Sequence, residues 1–268
     1  MPITHPALYQ AVYARMRDLL GQVTSWNPHG RARVYRSGDA ADAGRAGADK
    51  YRTVYRSSVN DSYRWTGPRP PGVTTAKPAV GGVYTSLGLN DALLGEFSFY
   101  AFHTTLDEDV RRKLDGQAPL MTAANFPPAL AAKRIFEYEF PIALRIADLS
   151  LSGQGGRDLL RQVGSAPAVK AALHAAGYGS GQAAYVASGD HSLPRAMSQA
   201  VRDLLPGYRG IKVTSARADA AMSFREEGAD NVIFFGADGQ LIDDLRPVRE
   251  ISFDHQPNGT LKERVAKI

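Results

Sequence analysis

Four short patterns place charged or hydroxyl-bearing side chains beside segments that look like strands. Arg36 ends the alternating segment 31–36 and runs into a polar loop. Tyr84 lies in a short strand-like segment, and Glu96 follows the last residue of that segment, Ser86, by ten positions. The two remaining patterns are Lys212-Val213-Thr214-Ser215-Ala216-Arg217, in which a strand delivers Ser215 into a loop, and Asn231-Val232-Ile233-Phe234-Phe235. These segments supply the candidate residues of a site.

The sequence lacks the motifs of the common nucleophilic and metal-dependent hydrolases. It has no cysteine, which excludes disulfides, thiolate metal ligands and a thiol nucleophile. It has no P-loop, no His-Glu-x-x-His and no Gly-x-Gly-x-x-Gly between a strand and a helix, and the serine within 177–181 is out of register for a nucleophile elbow. The six histidines are scattered and show no ligand spacing. We therefore expect chemistry that needs neither a metal nor a thiol.

Length and composition are those of an ordinary globular protein of one large domain. The chain has 268 residues, of which 44% are hydrophobic and 22% charged, enough for a sizeable core. Its net charge of +5 is spread along the chain, which favours mild affinity for anions over a nucleic-acid-binding module. No signal peptide or membrane span is visible. We expect a cytoplasmic protein, of the producing cell or of a target cell if a dedicated machine exports it.

Strand signals cluster toward both ends of the sequence, and helices lie between them. Period-two alternation predicts strands, and amphipathic spacing or capping residues predict helices. The predicted strands are 31–36, 51–58, 82–86, 134–149, 210–215, 231–235 and 247–253, and the predicted helices are 7–21, 91–102, 106–114 and three pieces within 155–206. This order predicts an α+β protein of one domain. An N-terminal helix occupies residues 1–30, and the domain covers 31–268 with a helical insertion at about 150–206.

Taken in order, the four patterns resemble the RES domain, a family named for its arginine, glutamate and serine. The similarity is to a strand arginine, then Tyr-x-Ser followed by Ala-Leu-x-x-Glu, then Gly-Ile-x-x-x-Ser-Ala-Arg, then an apolar strand that begins with asparagine. Asp148-Leu149 also resembles the end of a middle strand in that family. The resemblance covers residues 33 to 250 in patches and leaves the helical insertion unexplained.

The resemblance implies an ADP-ribosyltransferase-like fold, with a mixed β-sheet core and helical insertions, and chemistry on NAD⁺. RES proteins are bacterial toxins that consume NAD⁺ as glycohydrolases or phosphorylases, or that modify a target, and a partner antitoxin or immunity protein holds them in check. The resemblance implies NAD⁺ as substrate and no metal. Neither a membrane nor a nucleic acid is expected as a partner, and the oligomeric state stays open, a homo-oligomer included.

On this basis the predicted catalytic residues are Glu96, Arg36, Tyr84 and Ser215. Cleavage of the nicotinamide–ribose bond develops positive charge on the ribose, which a carboxylate such as Glu96 would stabilise. A strand-end guanidinium at Arg36 would hold the pyrophosphate through two hydrogen bonds. Tyr84 would face the nicotinamide or ribose, and Ser215 would hydrogen-bond a ribose or phosphate oxygen. The predicted substrate-binding residues are Arg36, Arg56, Tyr84, Ser86 and Ser215.

Departures from the family pattern leave the identity of the arginine open. The family shows a Gly-Gly-Arg-Trp segment shortly before its tyrosine, whereas here Trp65 is 19 residues from Tyr84. Arg56 has nearly the same local context as Arg36 and lies 28 residues before Tyr84, whereas Arg36 lies 48 before it. The loop after Arg36 fits the family better, and the spacing from Arg56 fits better.

Two alternative functions remain. Glu137 and Glu139 share one face of a strand, as the Glu-x-Glu pair of some ADP-ribosyltransferases does, and would support modification of a macromolecule. Their alternation with aromatic residues is also typical of a half-solvated structural strand. A non-enzymatic module that binds an anionic partner is the second alternative, suggested by the arginine-rich loop 62–78.

Overall fold

A computed structural model describes most of the chain and divides it into two compact units. It describes residues 3–28, 32–39, 65–66, 81–87, 133–187, 189–214, 230–236, 244–255, 257 and 261–268. Unit one comprises Met1–Pro28, Thr53–Tyr84 and Ile142–Ile242, and unit two comprises His29–Arg52, Thr85–Pro141 and Asp243–Ile268. Helices and a mixed sheet are both present, which confirms the α+β class. The predicted domain boundaries stay predictions.

The described residues form nine strands and five α-helices. The strands are β1 (Ser25–Trp26), β2 (Ala32–Asp39), β3 (Gly81–Ser86), β4 (Lys133–Phe140), β5 (Ile146–Asp148), β6 (Gly210–Thr214), β7 (Asp230–Gly236), β8 (Arg246–His255) and β9 (Leu261–Lys267). The helices are α1 (Pro6–Asp18), α2 (Gln154–Ser165), α3 (Pro167–Ala175), α4 (Gly181–Val186) and α5 (Ser192–Leu204). None of these helices has the length and apolar character needed to cross a bilayer.

In unit one, the central strands are β5, β6 and β7. Strand β5 runs parallel to β6, with Asp148 opposite Lys212, and also pairs with the short strand β1. Strand β7 is antiparallel to β6, with Asp230 opposite Thr214. Every residue of β6 is buried. Its apolar residues Ile211 and Val213 belong to the hydrophobic core, so the period of two turns Lys212 and Thr214 to the other face.

The segment predicted to be helical at about 150–206 contains four of the five helices and builds much of the core of unit one. Buried residues of α1, α2, α3 and α5 pack together with β5, β6 and β7 in one apolar cluster. Helix α2 ends at Ser165 because Pro167 restricts the preceding residue and then opens α3 as its first residue. The glycine-rich stretch 177–189 contains the short helix α4, whose N-cap Ser180 accepts a hydrogen bond from Ala183 N–H at 3.1 Å.

Unit two is an antiparallel arrangement of long strands. Strand β2 pairs with β4 over its full length, from Ala32 opposite Phe140 to Asp39 opposite Lys133, and also with β3 through Tyr35 and Ser86. Strand β4 pairs with β8, where the register shifts between Glu137 and Tyr138, and β8 pairs with β9. Outside the described residues lie the predicted strand 51–58 and the predicted helices 91–102 and 106–114.

Candidate functional site

A network of charged and hydroxyl side chains lies where β5 and β6 end and β7 begins. Lys212 Nζ is 3.0 Å from Asp230 Oδ2 and 4.0 Å from Asp148 Oδ2. Thr214 Oγ1 donates to Asp230 Oδ1 at 2.8 Å, and Ser152 Oγ donates to Asp230 Oδ2. Lys212 also donates to Ser152 Oγ at 3.2 Å. We call these five residues the lysine–aspartate cluster.

The loop after β5 brings Ser152 into this cluster. Ser150 N–H and Oγ–H both donate to Asp148 Oδ1, at 2.9 and 2.5 Å, and Leu151 N–H donates to Thr214 Oγ1 at 2.8 Å. The loop then turns sharply into α2. A Cβ on Gly156 would collide with the carbonyl oxygen of Ser150 and lie 2.7 Å from its nitrogen, so only glycine fits there. Gly156 therefore permits this close backbone approach.

Burial sets the electrostatics of the cluster. Lys212 and Asp230 are 2% and 1% exposed, so their charges interact with little screening by solvent. Burial raises the pKa of Asp230 above its ordinary value of 3.8, and the Lys212 ammonium, Ser152 and Thr214 oppose that rise. The result is a carboxylate held in place by three donors, one of which, the Lys212 ammonium, compensates its charge.

A cavity of about 750 Å³ opens beside this cluster, within unit one. One face of α2, one face of α3 and the segment that joins α3 to α4 form its walls. The described lining residues are Leu151, Ser152, Arg157, Leu160, Arg161, Gly164, Ser165, Lys170, Leu173, His174, Tyr178, Gly179, Ser180, Gly181, Gln182, Thr214 and Asp230. This volume is in the range of about 300–1,000 Å³ found for small-molecule sites.

The cavity wall is positively charged. Arg157, Arg161 and Lys170 are the lining cations, and Asp230 is the one carboxylate among the described lining residues, which gives a net charge of +2 with His174 neutral. Arg157 donates to the carbonyl oxygens of Leu151 and Ser152, both at 2.8 Å, and so lies close to the lysine–aspartate cluster. A cavity of this size and charge suits an anionic small molecule.

The structure describes three of the predicted site residues. Arg36 is half-buried on β2 of unit two, where its pairing partner in β4 is Phe136. Ser86 ends β3 and pairs with Tyr35, the neighbour of Arg36 on β2. Neither Arg36 nor Tyr84 lines the cavity. Glu96, Arg56 and Ser215 lie outside the described residues, although Ser215 directly follows Thr214 of the cavity wall.

Tyr84 is hydrogen-bonded to the segment that contains Trp65 and Thr66. Its hydroxyl accepts a hydrogen bond from Trp65 N–H at 3.0 Å and bonds Thr66 Oγ1 at 3.2 Å. The indole of Trp65 packs edge-on against Tyr185, with ring centroids 5.2 Å apart. Burial raises the pKa of the Tyr84 phenol to about 12, so it stays protonated at neutral pH. Trp65 and Tyr84, 19 residues apart in the sequence, are thus in direct contact.

The two glutamates of β4 take part in ion pairs with arginines of the neighbouring strands. Glu137 has no exposed surface and pairs with Arg33 at 3.0 Å and with Arg249. Glu139 is half-buried and pairs with Arg33 at 3.8 Å and Arg246 at 2.6 Å. These contacts cross-link β2, β4 and β8 within unit two. They support the interpretation of the pair as structural.

Lys212 and Thr214 belong to a motif whose predicted site residue was Ser215, and neither Asp230 nor Ser152 was among the predicted site residues. The signal was available in β6, where two polar residues alternate with the apolar Ile211 and Val213 in a fully buried strand. The cavity wall came from the helical segment that the resemblance left unexplained, and no pattern there indicated a site.

Within the described part of the chain, no group of three or more histidine, aspartate or glutamate side chains is placed to hold a metal ion. A comparison with protein-family models, curated proteins and solved structures finds no match for this chain.

Proposed function

We propose that the protein is an NAD⁺-consuming toxin that cleaves the nicotinamide–ribose bond at the cavity of unit one. The observation that carries the proposal is that Thr214 of one motif and Asp230, the residue immediately before another, both line this cavity. Strand β6 contributes Thr214 and β7 contributes Asp230, beside a wall with a net charge of +2. The pyrophosphate of NAD⁺ carries two negative charges, and guanidinium groups bind such oxygens in pairs.

The reaction needs few protein groups. The C–N bond between ribose and nicotinamide breaks, its electron pair leaves with the nicotinamide, and positive charge develops on the ribose. Water then adds at that carbon and loses a proton, which gives ADP-ribose; inorganic phosphate in place of water gives ADP-ribose 1″-phosphate. The leaving group is neutral once released and needs no acid, so a carboxylate beside the ribose supplies the main stabilisation.

Two carboxylates compete for that role. Glu96 is the choice that the family resemblance implies. Asp230 is the choice that the cavity favours, because it lines the wall and three donors fix its orientation. Arg36 or Arg56 would bind the pyrophosphate according to the resemblance, whereas Arg157 lies beside the cluster within the cavity.

The experiment is to incubate purified protein with NAD⁺, with and without phosphate, and to follow nicotinamide by chromatography. We expect nicotinamide release that falls by about 10²-fold or more in Glu96→Gln or Asp230→Asn, whichever is the catalytic carboxylate. Asp18→Asn, at an exposed position on α1, is the matched control and should keep full activity. Release that survives both substitutions would remove both carboxylates from the mechanism. In cells, the inactive variant should no longer be toxic, and coexpression of its antitoxin should protect against the wild-type protein.

A non-enzymatic module for an anionic partner is the second candidate, and the basic cavity wall favours it. It predicts binding that weakens steeply with salt and no release of nicotinamide. Transfer of ADP-ribose to a macromolecule through Glu137 and Glu139 would instead leave a labelled acceptor. The ion pairs of both glutamates give this third possibility no support.

A further inference from the structure

The outer part of the cavity carries basic groups beyond those that lie beside the lysine–aspartate cluster. Lys170 and His174 are four residues apart on α3, so they share one face of that helix, and both are exposed and line the cavity. Arg161 of α2 also lines the cavity, with its side chain 73% exposed and an ion pair to Asp158. These three residues form what we call the outer basic group.

The outer basic group is separate from Arg157. Arg161 lies one helical turn beyond Arg157, a rise of about 6 Å along the axis of α2. Arg157 donates a hydrogen bond to the carbonyl of Ser152, whose hydroxyl donates to Asp230. Arg157 therefore lies at the end of the cavity beside the lysine–aspartate cluster, which we call the inner end. The lining therefore offers cations at two positions along the cavity, with the carboxylate at the inner end.

We propose that the outer basic group binds a phosphoryl group on the adenosine end of the substrate, so that the site prefers a phosphorylated dinucleotide of the NADP⁺ class. This inference rests on the proposed function. Cleavage requires the nicotinamide ribose beside the carboxylate, which puts the pyrophosphate near Arg157 and the adenosine toward α3. The adenosine of NAD⁺ is uncharged and gives Lys170 no anion to bind, whereas a phosphate on its ribose does.

Binding of 5′-AMP and of 2′,5′-ADP, which differ only by the 2′-phosphate, tests the proposal without turnover when it is measured on the full chain by calorimetry at fixed salt. We expect wild-type protein to bind 2′,5′-ADP about tenfold or more tightly than 5′-AMP. Lys170→Gln should lower the affinity for 2′,5′-ADP far more than the affinity for 5′-AMP and so remove most of this advantage. Arg17→Gln removes the same charge from an exposed position of α1 outside the cavity and should preserve the advantage.

Equal affinities for the two nucleotides in wild-type protein would overturn the proposal. An advantage that Arg17→Gln reduces as much as Lys170→Gln would also overturn it, because the effect would then be one of net charge. Nicotinamide release separates this result from failure of the proposed function. If neither NAD⁺ nor NADP⁺ is cleaved but 2′,5′-ADP still binds more tightly than the nucleotide without the 2′-phosphate, the proposed function is wrong and the phosphate-binding site is supported. If NAD⁺ is cleaved at least as well as NADP⁺ and Lys170→Gln changes neither rate, the phosphate site fails alone.

Discussion

Replacing Lys212 by methionine should strongly destabilise the protein, in a way that depends on pH. Lys212 and Asp230 lie 3.0 Å apart, with side chains 3% and 0% exposed. Removing one member of a buried ion pair leaves the other charge uncompensated and costs about 3–5 kcal/mol. Ser152 and Thr214 still donate to Asp230 in the variant, so we expect a loss of about 3 kcal/mol in the free energy of unfolding at pH 7.

The sign of the pH dependence follows from Asp230. Its pKa in the folded protein is raised above 3.8 by burial, and the loss of the Lys212 ammonium, which opposes that rise, raises it further. A carboxyl group whose pKa is higher in the folded than in the unfolded protein does not destabilise the folded state below its unfolded pKa. Its destabilising effect grows as pH rises from the unfolded pKa through the folded pKa. The penalty of Lys212→Met should therefore be largest near pH 7 and shrink as pH falls toward about 4.

Urea unfolding at pH 4 to 8 measures both effects. Lys170→Met is the matched control, because Lys170 is exposed and its removal should change stability by less than about 0.5 kcal/mol. The double variant Lys212→Met/Asp230→Asn removes the stranded charge and should be about 2 kcal/mol more stable than Lys212→Met at pH 7. A loss below about 1 kcal/mol at pH 7, or a loss that does not shrink on acidification, would show that Lys212 does not compensate a buried Asp230 charge.

Three further outcomes are expected. Gly156→Ala should lower the free energy of unfolding in urea by about 2 kcal/mol or more, because its Cβ meets the backbone of Ser150, whereas Gly179→Ala, whose Cβ meets no atom within 4 Å, should not. Tyr84→Phe should lower the free energy of unfolding by about 1–3 kcal/mol, because the Trp65 N–H loses its acceptor. The wild-type protein and this variant should show the same tyrosinate absorbance up to about pH 11, because the pKa of Tyr84 is about 12. Glu137→Gln should reduce stability by about 3 kcal/mol in urea unfolding and more than Glu139→Gln does, because Glu137 is fully buried between two arginines; equal losses would contradict this account.

Alternation of apolar and polar residues was enough to predict the long and buried strands. Segments 231–235 and 247–253 correspond to β7 and β8, each extended by one or more residues, and segment 31–36 corresponds to β2, which runs on to Asp39. The prediction of one strand over 134–149 was wrong, because β4 and β5 are separate strands divided by residues 141–145. Strand β9 was missed because its sequence, LKERVAK, is mostly charged, and described residues 264–267 of this strand are exposed, so no buried face imposes an apolar pattern. Strand β1 has only two residues, too few for any periodicity.

The site was less accessible to sequence analysis because its parts are distant in the chain. Thr214 and Asp230 meet only through the pairing of β6 with β7, and Ser152 joins them from the loop after β5. The stretch before β7 carried no apolar pattern, so Asp230 was not distinguished from its polar neighbours. The cations of α2 and α3 follow amphipathic spacing and were indistinguishable from solvated helix faces before the cavity was known.

Proton NMR of NAD⁺ incubated with the purified protein shows whether the nicotinamide–ribose bond is cleaved. We expect the signals of ribose-linked nicotinamide to decrease and those of free nicotinamide to grow, together with those of ADP-ribose or its phosphorylated form. The same spectra for NADP⁺ report the substrate preference. If both NAD⁺ and NADP⁺ stay intact at high protein concentration, the proposed function is wrong.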